Sequence, residues 1–268
     1  MNKVSHENRP SPLLTPQFAL LLCATAIFGL SFSTYFLLPK FLAVELAADA
    51  ITIGGVGALS MLASVIAMPF IGVQVDRRGR KLFGFLGALV FAVSSAGFLW
   101  VDSVGPLLLI CRILQGAAFT LYYVSLSTLA TDITPSERLG QAIGLFGAVM
   151  ISTNALGPAL AEWGAAAYGW KAVFAGTVCA AAASAALTLM IREEPRVRDH
   201  KNATSMLQVL MRPGLQRILL VAAMAGWSMG AMYTFYQPWA LSLGFEQVSS
   251  YLIAFALCAM LVRVGLGG

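Results

Sequence analysis

Long apolar stretches separated by short polar connections dominate the hydrophobic pattern of this chain. An α-helix needs about 20 apolar residues to cross the hydrocarbon core of a bilayer. The alternation of apolar and polar positions that marks a membrane β-strand is absent. The pattern therefore predicts an all-α membrane protein with eight spanning helices, at residues 18–38, 51–75, 82–101, 105–130, 140–161, 170–191, 218–243 and 248–268.

The composition supports this class. Hydrophobic residues make up 59% of the 268 positions and charged residues only 11%, whereas soluble globular domains contain about 25% charged residues. The net charge of +5 has no nucleic-acid motif beside it, so nucleic acid is not an expected partner. The expected surroundings are a lipid bilayer, and no feature of the sequence indicates an oligomeric state.

Cysteine and histidine positions argue against a metal site. The four cysteines fall singly in different apolar stretches, and both histidines lie in polar tails. Isolated cysteines of this kind behave as small hydrophobic residues. We therefore expect no metal and no other cofactor.

The distribution of lysine and arginine predicts the topology. When loops are assigned alternately to two sides, 13 of the 17 cations fall on one side, two (Lys40 and Lys171) fall on the other, and two (Arg112 and Arg263) lie inside spans. Cytoplasmic loops carry the excess of positive charge. Both termini are therefore predicted to be cytoplasmic, in a plasma membrane such as a bacterial inner membrane. The 13 cations are Lys3, Arg9, Arg77, Arg78, Arg80, Lys81, Arg138, Arg192, Arg196, Arg198, Lys201, Arg212 and Arg217.

The longest polar stretch, residues 192–216, follows the sixth span and contains Pro213. It predicts a cytoplasmic linker between two units. The predicted organisation is a tail at 1–17, a six-helix bundle at 18–191, the linker, and two helices of a second bundle at 217–268. Pro39 in the first span and Pro238 in the seventh both follow aromatic residues, as a repeated six-helix unit would produce.

The stretch GVQVDRRGRK, residues 72–81, holds five charged residues in ten positions of this apolar chain. Its cations can act as orientation anchors. This role does not explain Asp76 or the two glycines, which we expect to flank a tight turn of about six residues. The stretch resembles the loop signature of the major facilitator superfamily. Its matching positions are Gly72, Asp76, Arg77, Gly79, Arg80 and Lys81. The resemblance implies that the aspartate and arginine form a charge relay, which clasps the two halves of the transporter on the cytoplasmic side.

Two further segments carry the resemblance. Arg112, Gln115 and Gly116 look like the Arg-x-x-Gln-Gly signature of the fourth helix. A cation inside a span costs about 2.5 to 3.5 kcal/mol on insertion scales, which favours a role for Arg112 in coupling or in the cavity over a simple hydrogen bond between helices. Asn154, Gly157 and Pro158 are similar to the antiporter motif of the fifth helix, although Ala161 and Glu162 replace the two glycines expected next.

The resemblance implies a secondary transporter of a small molecule that works by alternating access, with proton-coupled efflux by antiport as the family default. No phosphate-binding loop for ATP occurs. No aspartate or glutamate lies deep in the predicted spans. Three possibilities therefore stay open: Arg112 takes part in coupling, a carboxylate outside this sequence does so, or transport is not coupled to an ion. An aromatic cavity lined by Tyr35, Tyr233, Tyr236 and Gln237 would favour a hydrophobic or amphipathic substrate, although aromatic residues near span ends also form interface belts.

Two alternatives remain. The family has twelve helices and this sequence supplies eight, so we interpret it as the first two-thirds of a transporter. A truncated, non-transporting remnant or a structural membrane protein is the alternative. An intramembrane serine hydrolase is less favoured. Gly226-Trp227-Ser228-Met229-Gly230 spells its nucleophile motif, but that motif needs a preceding strand and a later histidine, and no histidine follows residue 200.

Overall fold

The computed structural model describes residues 14–193, 213–245 and 247–266; the side chains of Asp76, Pro213, Met260 and residues 262–266 are not described. Most of the predicted tail and linker therefore lie outside the described residues. Within these ranges every regular element is a helix. The α-helices are α1 (Pro16–Thr34), α2 (Leu38–Val44), α3 (Ala50–Arg78), α4 (Arg80–Gly97), α5 (Pro106–Asp132), α6 (Leu139–Tyr168), α7 (Trp170–Met190), α8 (Pro213–Ser242) and α9 (Ser249–Leu266).

The predicted spans correspond to these helices. Seven helical segments in the described part of the chain are long and apolar enough to cross a membrane, and α9 adds the apolar run Ser249–Ala259. The first span consists of α1 and α2, which the 3-10 turn Tyr35–Leu37 joins. Pro39 lies in the first turn of α2, whereas Pro238 lies inside α8. The two prolines therefore occupy different positions relative to their helices.

Short connections make successive spans run in opposite directions. A single residue, Gly79, separates α3 from α4, and a single residue, Gly169, separates α6 from α7. We name the two ends of the bundle after residues that lie there. The Gly79 end holds the first residues of α1, α4, α6 and α8, and the Lys40 end holds the first residues of α3, α5, α7 and α9.

Helices α1 to α7 pack around an aromatic core. Helix α4 packs against α5 and α7, and α1 packs against α6 and α7. The ring of Phe28 stacks on Tyr122 with the ring centroids 3.7 Å apart and meets Phe91 edge to face. Such pairs add to the free energy that burial of the rings supplies. This core fixes the positions from which polar side chains reach between helices.

Glycines allow the closest helix crossings. A Cβ at Gly116 of α5 would overlap the backbone carbonyl of Ser60 in α3, and the hydroxyl of Ser64 donates to the Gly116 carbonyl oxygen at 2.8 Å. A Cβ at Gly157 of α6 would overlap the Ser33 hydroxyl of α1. Small residues have this role in membrane helix packing, where the surrounding lipid is as apolar as the side chains.

Two boundaries differ from the prediction. The turn expected around residues 72–81 is one residue long, because α3 continues to Arg78 and α4 begins at Arg80. Gly79 has φ +99°, which favours glycine, whereas Gly72 lies inside α3 and faces open space among the described residues. Helix α6 extends to Tyr168, seven residues beyond the predicted span, and therefore includes Glu162.

Replacing Gly116 by alanine should destabilise the bundle, because the new methyl group meets the backbone of α3, which cannot rotate away. We expect a loss of about 1 to 3 kcal/mol, the usual cost of overpacking, measured as a lower thermal unfolding midpoint in detergent. The matched control is Gly176→Ala in α7, where a Cβ would face open space among the described residues. Equal midpoints for the two variants would contradict the close crossing of α3 and α5.

Candidate functional site

Ionic contacts link the helix ends at the Gly79 end. The guanidinium of Arg80, the first residue of α4, pairs with the carboxylate of Asp132, the last residue of α5. Glu193 follows α7 and accepts hydrogen bonds from the backbone N–H groups of Arg80 at 2.7 Å and Lys81 at 3.0 Å. A carboxylate at a helix N-terminus satisfies free N–H groups and the helix dipole. These contacts tie α4, α5 and the end of α7 together.

The predicted signature of residues 72–81 is only partly engaged in these contacts. Arg80 and Lys81 take part through the groups described above, and Gly79 lies beside the Glu193 carboxylate. Arg77 is exposed, as an orientation anchor would be. The side chain of Asp76 lies outside the described residues, so the relay between aspartate and arginine stays a prediction.

Arg112 is buried between α3 and α5. Its Nη1 donates to Gln115 Oε1 at 2.8 Å, one turn later, and its Nη2 donates to the Ser60 hydroxyl at 2.6 Å. The side chain is 9% exposed, and Gln115 is 2% exposed. The partners identified for the guanidinium are neutral, and its Nε and the Gln115 amide nitrogen have no hydrogen-bond partner among the described residues. A positive charge is therefore held inside the bundle by neutral oxygens.

The antiporter-like segment of α6 faces α1. Gly157 and Pro158 are buried, and the Ser33 hydroxyl beside Gly157 donates to the Thr153 carbonyl at 2.6 Å. Asn154 is half-buried, and its Oδ1 has no hydrogen-bond partner among the described residues. The contacts of Gly157 are those of a close helix crossing.

The four residues predicted to line a cavity occupy two different environments. Tyr35 is 5% exposed and lies in the core of the six-helix bundle, where its ring contacts Phe91, Phe98 and Phe174. Its hydroxyl lies 3.3 Å from that of Thr177. These contacts are those of a core residue, so we do not carry Tyr35 into the proposed cavity.

The other three lie where α8 meets the 3-10 turn Tyr35–Leu37, α2 and α9. The fully buried Gln237 donates from Nε2 to the Phe36 carbonyl, and its Oε1 accepts from the backbone N–H of Lys40 at 3.2 Å. The Tyr236 hydroxyl donates to the Val248 carbonyl at 3.1 Å. The rings of Tyr233 and Phe36 have centroids 4.7 Å apart. These side chains face other helices.

Glu162 is the centre of a second cross-helix contact at the Lys40 end. Its Oε1 accepts from Lys40 Nζ at 2.6 Å and from the Val248 N–H at 2.9 Å, and its Oε2 accepts from the Ser249 N–H at 2.8 Å. Ser249 is the first residue of α9. One carboxylate of α6 thus holds a lysine of α2 and the N-terminus of α9.

A cavity of about 530 Å³ lies beside this contact. Lys40 and Glu162 line it, together with the indole rings of Trp163 and Trp170 and with Gln247. The Lys40 and Glu162 side chains keep 18% and 12% of their surface exposed. Both charges are therefore reachable by water.

Sequence reasoning missed Asp132, Glu193 and the pairing of Lys40 with Glu162. These residues carry a charge at or near the end of a span. Such a charge needs a partner at the same depth in the membrane, and this requirement could have revealed the pairs from the sequence. The Ser228 motif lies within α8, so helix and not strand precedes it, and no neighbouring helix in the described part of the chain approaches Gly226 or Gly230 closely. The described residues contain no group of three or more His, Cys, Asp or Glu that could hold a metal.

Curated relatives match parts of the chain. "Multidrug resistance protein B homolog" of Mycobacterium tuberculosis is 29% identical over 163 residues, which cover 59% of this chain and 29% of the relative. "Multidrug resistance protein 3" of Bacillus subtilis is 32% identical over 114 residues, which cover 42% and 22%. "Quinolone resistance protein NorA" of Staphylococcus aureus is 29% identical over 99 residues, which cover 37% and 25%. The matches thus span less than a third of these relatives' length.

Solved structures share the fold. A D-xylose-proton symporter superposes with a TM-score of 0.63 and 14% identity, covering 92% of this chain and 66% of the symporter. The inward-open xylose transporter XylE from E. coli gives a TM-score of 0.56 and 16% identity, covering 86% and 57%. The sequence profile described as "Major Facilitator Superfamily" matches residues 20–268. The chain therefore belongs to the Major Facilitator Superfamily, whose members are multi-pass membrane transport proteins and not enzymes.

Proposed function

We propose that the protein exports a hydrophobic or amphipathic small molecule in exchange for protons by alternating access. The proposal rests on the position of the contacts between the first seven helices and the last two. Gln237 of α8 bonds to the 3-10 turn Tyr35–Leu37 and to α2, and the N-terminus of α9 bonds to α6, all at the Lys40 end, whereas residues 216–231 of α8, nearer the Gly79 end, are exposed. Among the described residues, the hydrogen bonds identified between the first seven helices and the last two lie at the Lys40 end, which is the arrangement expected of a state closed at that end.

The proposed organisation has two units that rock against each other. Residues 18–191 form one unit and 217–268 belong to the other, joined by the linker at 192–216. The charge asymmetry, with 13 cations on one side and two on the other, supports a cytoplasmic position for the Gly79 end and both termini. The Lys40 end then faces outward, and the described state is closed to that side.

The substrate class follows from side chains and relatives together. Tyr233, Tyr236 and Gln237 combine aromatic surface with hydrogen-bonding groups, a common composition for small-molecule sites. Relatives named for multidrug and quinolone resistance support export of drug-like molecules. The relatives are longer than this chain, so the whole transporter's activity is part of this proposal.

Transport should be measured with the purified full chain in liposomes that carry a pH indicator inside. Adding a hydrophobic substrate such as a fluoroquinolone should move protons across the membrane in the direction opposite to the substrate. An imposed pH gradient should in turn drive accumulation of the substrate against its own gradient. Substrate flux that leaves internal pH unchanged would contradict antiport, and an absence of flux across a panel of amphipathic substrates would contradict export.

Replacing Arg112 by glutamine should lower the transport rate at least about tenfold, a loss that corresponds to roughly 1.4 kcal/mol in the rate-limiting barrier. The glutamine can still bond to Ser60, but the bundle loses its buried positive charge. Transport and the amount of folded protein should be measured side by side. The control is Lys171→Gln, an exposed cation in α7. If Arg112→Gln transports at the wild-type rate, Arg112 has no part in the mechanism.

Replacing Asp76 by asparagine should slow the conformational cycle, since the resemblance assigns the cytoplasmic clasp to this residue. We expect the maximal transport rate to fall about tenfold, equivalent to roughly 1.4 kcal/mol, with little change in KM. The matched control is Asp102→Asn, an exposed carboxylate at the Lys40 end. A change in KM alone would argue against the clasp.

A further inference from the structure

We propose that Glu162 is the gating residue of the Lys40 end, and that a proton on its carboxylate releases that end. The inference rests on the proposed alternating-access function and names the residue that controls one of its two states. Glu162 takes the position of a glycine in the antiporter-like motif of α6. The gate is therefore a property of this chain's own residues.

The geometry makes Glu162 a joint between the two proposed units. Its two oxygens accept three hydrogen bonds at 2.6 to 2.9 Å, from Lys40 Nζ in α2 and from the backbone N–H groups of Val248 and Ser249 at the start of α9. Helix N-termini favour anions, because free N–H groups and the helix dipole both point to the bound charge. An ionised carboxylate therefore fits all three donors.

A proton changes each of these contacts. Hydronium from bulk solvent that enters the adjoining cavity gives its proton to one carboxylate oxygen and leaves as water, and the protonated oxygen becomes an O–H donor. The Lys40 ammonium loses its ionic contact with Glu162, and the two N–H groups of α9 lose a charged acceptor. Hydrogen bonds to a charged group are roughly twice as strong as neutral ones. The neutral acid thus holds α9 more weakly against α6.

Other groups at this contact set how the gate responds to pH. The Lys40 ammonium favours the ionised form of Glu162, and the Tyr236 phenol of α8 lies within electrostatic range of it. Tyr236 stays neutral at physiological pH because an ordinary phenol titrates near pH 10. The hydrogen bonds of Gln237 are to the backbone carbonyl of Phe36 and the backbone N–H of Lys40, and these groups do not titrate. They provide a contact of α8 that pH does not alter, so the proton acts mainly on α9.

The gate can be measured directly in the full chain, reconstituted in nanodiscs without substrate. Spin labels at Ala167→Cys in α6 and Ser250→Cys in α9, both at exposed positions, report the separation at the Lys40 end once the four native cysteines are replaced by alanine. The ratio of long to short distances should rise by up to about tenfold for each unit that the pH falls, as proton linkage requires. Glu162→Gln should raise this ratio at pH 8 and remove its pH dependence.

Two further variants separate gating from a merely structural role. Lys40→Gln removes the ammonium that favours ionised Glu162, so the midpoint of the distance change should move to higher pH while the dependence remains. The matched control Asp49→Asn lies at the same end. A hydrogen bond from Thr52 lowers the pKa of Asp49, yet Asp49 has no contact with Glu162 among the described residues and its replacement should leave the midpoint unchanged.

The outcomes of the two kinds of experiment are distinct. A wild-type distance that does not respond to pH, or a response that survives in Glu162→Gln, would overturn the gate and leave the transport proposal intact. If Glu162→Gln does not fold, an unshifted midpoint in Lys40→Gln would overturn it instead. Conversely, a distance that responds as expected in a protein that moves no substrate would support the gate and overturn export.

Discussion

A polar group inside a lipid bilayer must find its partner within the protein, and this constraint determines most of what is specific about the structure. Helices satisfy the hydrogen bonds of the backbone, so the polar groups that still need partners are those of the side chains. Hydroxyls meet it by bonding to neighbouring helices: Ser31 donates to the Thr177 carbonyl at 2.9 Å, and Ser184 donates to the Ala24 carbonyl at 2.8 Å. The polar contacts thus decide which helices lie next to each other.

Charges follow the same rule at greater cost. Asp132 and Glu193 lie beyond or at the last turn of a helix and bind the start of α4. Glu162 lies within α6, six residues before its end, and combines a lysine with two backbone N–H groups. Arg112 differs, because its identified partners are the neutral side chains of Ser60 and Gln115. A charge kept without an identified counter-charge is the feature most difficult to explain by folding alone.

The sequence allowed the helices and their alternating direction to be predicted, because hydropathy reports directly on a membrane-spanning helix. The hydrogen bonds of Arg112 to Gln115 and Ser60 came from the structure. The sequence did not reveal Glu162 as an intramembrane group. Hydropathy placed the end of the fifth span at residue 161, where the first charge appears, whereas Lys40 and the N-terminus of α9 stabilise that charge and let α6 continue to Tyr168. The sequence also left the surroundings of Tyr35 open, because aromatic residues near a span end suit a cavity, an interface or a core equally well; its ring contacts Phe91, Phe98 and Phe174.

The two ends of the bundle hold their helices by different chemistry. At the Gly79 end, the ionic contacts identified for Arg80, Asp132 and Glu193 join α4 to α5 and to the residues just after α7, so these contacts can stay intact while α8 and α9 move. At the Lys40 end, Glu162 and Gln237 join those helices to α8 and α9. Opening that end must break the bonds to at least one of them. The bonds of Gln237 are between neutral groups, whereas those of Glu162 depend on its charge, so Glu162 is the point at which a proton could change the balance between the two states.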